Sequence, residues 1–258
     1  RRRHTRYISV TGVQTCALPI CQAGELGVFS RLAQRANGAT SYNATVALRK
    51  GQPEVLVQSD LKGMALTFPA PLNKPAAASW PLRLDMQLTK ESLAPKSKVL
   101  QDQIRLSLAR VLSLQYVRDI SATQARVLRG AIAIGATATE ALLPRDTGVN
   151  LSLQQASVDL DAWNEAMSLL TTPTNSKAKP RSSKSNVVGQ ELETTGAQDY
   201  VPSLLSVRAD QVKLADRFIN HVVVGGSRVA ELWRLNIAAD ELKDRKSTRL
   251  NSSHTDIS

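Results

Sequence analysis

Hydrophobic and polar side chains alternate with a period of two through most of this chain. Leu82, Leu84, Met86 and Leu88 are separated by Arg83, Asp85 and Gln87, and Ile104, Leu106 and Leu108 sit between Gln103, Arg105 and Ser107. Val149, Leu151 and Leu153 alternate with Asn150, Ser152 and Gln154, and Trp233, Leu235 and Ile237 with Arg234 and Asn236. Shorter runs are Val46 with Leu48, Val55 with Val57, Leu112 with Leu114 and Tyr116, Ile132 with Ile134, Val212 with Leu214, and Val222 with Val224. Successive side chains of a strand point to opposite faces, so each run lays an apolar row on one face and a polar row on the other. Lys50-Gly51-Gln52-Pro53, Pro144-Arg145-Asp146 and Gly225-Gly226 punctuate the runs and read as turns. Roughly a dozen strands with mostly short connections predict a mainly β fold, an antiparallel meander of amphipathic strands.

Two stretches interrupt the alternation. Residues 161–170, DAWNEAMSLL, predict one short helix, with Asp161 as its cap and Trp163, Met167 and Leu170 on one face. Residues 171–199 lose all periodicity and hold Pro173, Lys177, Lys179, Pro180, Arg181 and Lys184 among serines and threonines, which reads as a flexible linker or long loop. The chain thus divides into a β-rich segment at 21–170, the linker at 171–199, and a continuation of the sheet at 200–243. Pro69–Trp80 is a further extended connection, because its prolines forbid helix and disfavour a central strand.

The two ends read as translated sequencing adapter. Residues 10–20, VTGVQTCALPI, and residues 244–254, DRKSTRLNSSH, are encoded by DNA strings that are reverse complements of each other. One index sequence accounts for Tyr7–Ser9 at one end and Thr255–Ser258 at the other. Residues 1–20 and 244–258 are therefore expected to be non-native, with the junctions inside the codons of Cys21 and Lys243, and the insert is expected to be an internal slice of a longer chain. The formal charge of +11 changes with this reading. Seven of the 33 basic and two of the 22 acidic residues fall in the ends, leaving 26 against 20, or +6. A charge of that size serves solubility and does not call for nucleic acid. The Lys/Arg cluster at 177–184 lacks the interleaved aromatics of a single-strand binder.

No pattern demands catalysis, a cofactor or a metal, and the chain is read as not an enzyme. His221, the one histidine outside the ends, has no nucleophile or carboxylate at a recognisable spacing. Gly225-Gly226-Ser227 is not a nucleophile elbow, and Gly130 to Gly135 lacks the lysine of a phosphate loop. Asp159 and Asp161 flank the predicted helix start, where capping accounts for them. Trp80, Trp163 and Trp233 read as core or rim anchors. No run of about 18 apolar residues marks a membrane helix.

Two stretches carry a family resemblance. Residues 54–82, EVLVQSDLKGMALTFPAPLNKPAAASWPL, contain Ser59-Asp60-Leu61-Lys62-Gly63 followed by Pro69-Ala70-Pro71-Leu72 and Lys74-Pro75-Ala76. Residues 209–242 follow a spaced pattern through Asp210, Val212, Leu214, Arg217, Phe218, Trp233, Ile237 and Leu242, with Gly226 where alanine is usual. Both resemble the YhdP family, large AsmA-like proteins of the Gram-negative envelope. The resemblance implies a strongly curled sheet forming a groove, in a periplasmic body anchored in the inner membrane by an N-terminal helix. It also implies phospholipid transport between inner and outer membranes, with acyl chains as ligands and no catalytic residue. On that reading the groove is lined by Leu82, Leu84, Met86, Leu88, Ile104, Leu106 and Leu108, with Leu151, Leu153, Leu235 and Ile237 further on. Alternation alone fits a groove and a two-sheet sandwich equally well. The rival function is a structural scaffold for outer-membrane protein assembly.

Overall fold

The computed structural model describes residues 7–15, 35–136, 138, 141–171, 198–229 and 232–243. The alternating runs all form strands: β1 (Tyr7–Thr15), β2 (Ala36–Arg49), β3 (Gln52–Ser59), β4 (Met64–Thr67), β5 (Asn73–Lys74), β6 (Leu82–Leu88) and β7 (Gln101–Leu108). They continue with β8 (Leu112–Asp119), β9 (Arg126–Gly135), β10 (Gly148–Asp159), β11 (Leu204–Leu214), β12 (Arg217–Val229) and β13 (Leu232–Ala238). Three helices are α1 (Lys90–Leu93), α2 (Leu160–Thr171) and α3 (Asp240–Lys243), and residues Gln198–Tyr200 form a 3-10 turn.

All thirteen strands belong to one open, curled sheet, in the order β13-β12-β11-β10-β9-β8-β7-β6-β3-β2-β4-β5, with β1 paired to β2. No second sheet packs on it among the described residues, which excludes the sandwich there. The segment 7–15 lies within the adapter reading, so β1 supports no functional inference.

Tight turns set the register where connections are short. Lys50 and Gly51 link β2 to β3 with φ of 50° and 79°, the left-handed pair that a two-residue hairpin turn requires. Ala215 opens the two-residue β11–β12 turn with φ of 50°.

The antiparallel meander fails at one strand. β10 runs parallel to both β9 and β11. A parallel neighbour needs a crossover of a dozen or more residues, and both connections that flank β10, residues 136–147 and 160–203, are that long. The first packs Ala141 and Leu143 against Ala131 and Ala133 of β9.

Helix α2 covers the predicted 161–170, but its cap is Asp159 rather than Asp161. Asp159 Oδ1 accepts from the Ala162 amide at 3.0 Å. That bond, followed by the Lys213 ammonium, holds the Asp159 carboxyl below its usual range. Asp161 instead accepts from the Ala215 amide, tying the helix start to the β11–β12 turn. Trp163 packs against the buried cluster of Val158, Ala209, Val212, Val222 and Ala239, while the side chains of Met167 and Leu170 lie outside the described residues, as does most of the 171–199 linker. Gly225-Gly226 is not a turn but mid-strand in β12. There Gly226 pairs with Leu235, and a Cβ would meet the Leu235 side chain, so the missing side chain makes room on that face.

Candidate functional site

The register carries one apolar row across the whole sheet. Leu82, Leu84 and Met86 of β6 stand opposite Leu108, Leu106 and Ile104 of β7, which stand opposite Leu112, Leu114 and Tyr116 of β8. Directly paired residues share a face. Leu114 then meets Ile132 of β9, Ile132 meets Leu151 of β10, and Leu151 meets Leu205 of β11. Leu153 pairs with Val207, Val207 with Val224 and Val224 with Ile237, while Gly226 pairs with Leu235. In the other direction Leu84 and Met86 meet Val57 and Val55, which meet Ala44 and Val46 of β2. Every residue named at the sequence level as lining a groove therefore falls on the same face, with Leu88 at its margin.

The burial of this face distinguishes a groove wall from a core. Leu84, Leu106, Leu114, Ile132, Leu151 and Leu205 are only half-buried, and Leu235 and Ile237 remain 49% and 55% exposed, whereas Leu88, Leu108 and Tyr116 of the same face are buried. A sandwich core would hide such rows almost completely. From β2 to β13 the row crosses ten strands in spatial order, or about 43 Å at ~4.8 Å per step.

Both margins of the row carry built structures. At one margin the Ser59–Ala76 signature folds on itself around Lys74, whose side chain is buried. Its ammonium donates to the carbonyls of Leu61 at 2.7 Å, Met64 at 2.6 Å and Pro75 at 3.2 Å. Leu61 and Gly63 adopt φ of 49° and 92°, and Gly63 donates to Ala76 O while Trp80 donates to Asp60 O. Burial pulls the Lys74 pKa down, with Asp60 pulling it up. The motif is thus a self-contained fold of the chain that needs lysine for its three donors. From α2, Trp163 Nε1 donates to Ala70 O at 3.0 Å and joins the two halves of this margin.

At the opposite margin a polar cluster interrupts the apolar face. Asp102 pairs with Leu88 on one side and Arg118 on the other. Arg118 grips Asp102 through Nε and Nη2 and donates from Nη1 to the Tyr200 hydroxyl at 3.0 Å. Burial pulls the Arg118 pKa down, but the bonds to Asp102 and Tyr200 outweigh it and raise it overall. Tyr116 donates to Tyr200 O at 3.0 Å and meets its ring edge-on at 5.2 Å. Gly130, opposite Tyr116, leaves the space its ring fills, since a Cβ there would lie 2.4 Å from the ring. The sequence reading missed this cluster, although Asp102 and Arg118 both fall on the apolar parity of their strands.

Burial pushes the Tyr116 phenol up from 10.0 to about 12. The unfolded chain therefore releases this proton first as pH rises. The stabilisation is fully present below pH 10 and is lost as pH climbs through about 12, a change of about 2–3 kcal/mol. Denaturant unfolding at pH 9 and pH 12 should show that loss, and Tyr116→Phe should remove it.

The remaining sequence candidates resolve more simply. His221 is exposed, has φ of 49° and bonds to Asp240 of α3. It lies where the ladder skips Ala156, Asp210 and His221 in three adjacent strands. The buried position of β11 moves there from Ala209 to Val212, so the strand changes which parity it hides. Gln154, Arg208, Asp210 and His221 line a shallow cleft at this point. Among the described residues no cluster of histidine, cysteine and carboxylates is placed to hold a metal, and no helix is long and apolar enough to cross a membrane. The basic cluster at 177–184 lies outside the described residues.

No curated protein and no solved structure matches the chain. The family model described as YhdP protein matches residues 20–253. That span begins one residue before Cys21, leaves β1 outside, and runs past the Lys243 boundary read from the codons.

Proposed function

The chain belongs to the YhdP family of bacterial envelope proteins, and from that premise we propose that it forms part of a periplasmic conduit for phospholipid. The conduit would belong to an inner-membrane-anchored protein and carry lipid between the inner and outer membranes of a Gram-negative cell. The observation that supports this reading is the apolar face that runs from β2 to β13, half-exposed except where Leu88, Leu108 and Tyr116 are buried. Acyl chains lying against Leu84, Leu106, Ile132 and Leu151 leave water without any bond being made or broken. At about 0.8 kcal/mol per buried methylene, a chain of roughly fifteen gains on the order of 10 kcal/mol. Dispersed half-buried rows suffice for that, and no catalytic group enters the scheme.

A photo-reactive residue placed at Leu84 or Leu106 of the full-length protein in cells is expected to recover phospholipid adducts. Arg83 and Arg105, on the other face of the same strands, are the controls. Equal recovery from both faces would overturn the proposal. Protein adducts without lipid at Leu84 and Leu106 would favour the assembly scaffold.

A further inference from the structure

The Asp102–Arg118 pair lies on the same face as Met86, Ile104 and Tyr116, at the edge of the apolar rows. Asp102 is buried, and the Arg118 side chain is only 17% exposed. A buried ion pair adds little stability over apolar residues of the same volume, so packing alone does not account for charges here. The third donor direction of Arg118 is met by the hydroxyl of Tyr200, which comes from outside the sheet. That hydroxyl oxygen marks where an oxygen ligand of the guanidinium sits, at the lip of an apolar surface. Guanidinium donors match phosphate oxygens in geometry and charge.

We propose that Arg118 and Asp102 form a head-group station for the phosphodiester of a glycerophospholipid, with the Tyr200 hydroxyl as its exchangeable occupant. A phosphate oxygen replaces the phenol oxygen on Arg118 Nη1, while the acyl chain runs along Met86, Ile104 and Leu106. Asp102 keeps the other side of the guanidinium engaged and offsets its charge. The station therefore offers a single donor and a weak hold, which suits a ligand that must move on. This inference rests on the lipid reading above and adds to it the residues that hold the phosphate.

The test uses the full-length protein in detergent, with dioleoyl phosphatidylglycerol and dioleoylglycerol as probes that share acyl chains and differ in the phosphate. Bound lipid is read as the ratio of the two. Tyr200→Phe keeps the ring and frees Arg118 Nη1, so the ratio should rise about threefold to tenfold. Arg118→Gln combined with Asp102→Asn keeps a neutral hydrogen-bonded pair, and the ratio should fall by a similar factor while dioleoylglycerol binding persists. If both lipids bind and neither variant moves the ratio, the station is wrong and the apolar groove stands. If the unmodified protein binds neither lipid, both readings fail.

Discussion

Lys74→Met is expected to destabilise the protein by about 3 kcal/mol, one of the two largest single-residue effects in this structure. Methionine matches the length of the lysine stem and keeps its packing. It supplies no donor to the carbonyls of Leu61, Met64 and Pro75. An unmet buried carbonyl costs about 1–3 kcal/mol, and a hydrogen bond from a charged donor contributes about 1.5–3 kcal/mol. Against this, methionine avoids burying the ammonium of a residue that is only 1% exposed, which is why the sum of three bonds overstates the loss. Denaturant titration of the full chain gives the measurement. A loss under about 0.5 kcal/mol, the range of an ordinary surface change, would show that the loop does not depend on these bonds.

The second large effect is expected from Asp102→Ala, at about 3 kcal/mol. Alanine leaves the Arg118 guanidinium mostly buried with Tyr200 as its remaining side-chain oxygen partner. Breaking one side of a buried pair costs about 3–5 kcal/mol, and the partial exposure of Arg118 puts this case at the low end. Replacing both members, Asp102→Leu with Arg118→Met, should restore most of the loss because no charge is then stranded. Thermal or denaturant unfolding of the single and double variants tests this. A double variant no better than the sum of its singles would contradict it.

The strands were legible because period two is a direct image of a one-sided sheet. Leu82 to Leu88 and Ile104 to Leu108 needed nothing else, and their pairing follows from their order. What alternation could not supply was depth. Leu106 half-buried in a groove and Leu106 fully buried in a sandwich give the same string of letters. Strand direction was equally hidden, since β10 alternates like its neighbours and a connection as long as 136–147 also joins the antiparallel β6 and β7. Gly225-Gly226 misled because glycine marks turns by conformation but also marks close packing, which is the role Gly226 plays beneath Leu235. The helix cap was placed two residues late because two carboxylates compete for it, and only the Ala162 amide decides between them. The Lys74 signature carried the family resemblance, yet its purpose as the centre of three backbone carbonyls is visible only in three dimensions. The polar cluster was recoverable in principle: aspartate and arginine at apolar-parity positions of adjacent hairpin strands are what a buried pair looks like in sequence.

The single-file order of the strands has a mechanical consequence. In the spatial order each strand from β12 through β6 to β3 is bonded to the strands on its two sides, and the sheet does not close. Cooperativity in such an array passes from neighbour to neighbour, as in a stack of repeats, and a break at one strand would part the array in two. Among the described residues, Trp163 and Tyr200 bypass the file. Trp163 reaches Ala70 across the span from β10 to β4, and Tyr200 ties the start of β11 to Tyr116 and Arg118 of β8. They act as cross-ties on an open trough, fixing how far its walls can spread without closing the mouth between them.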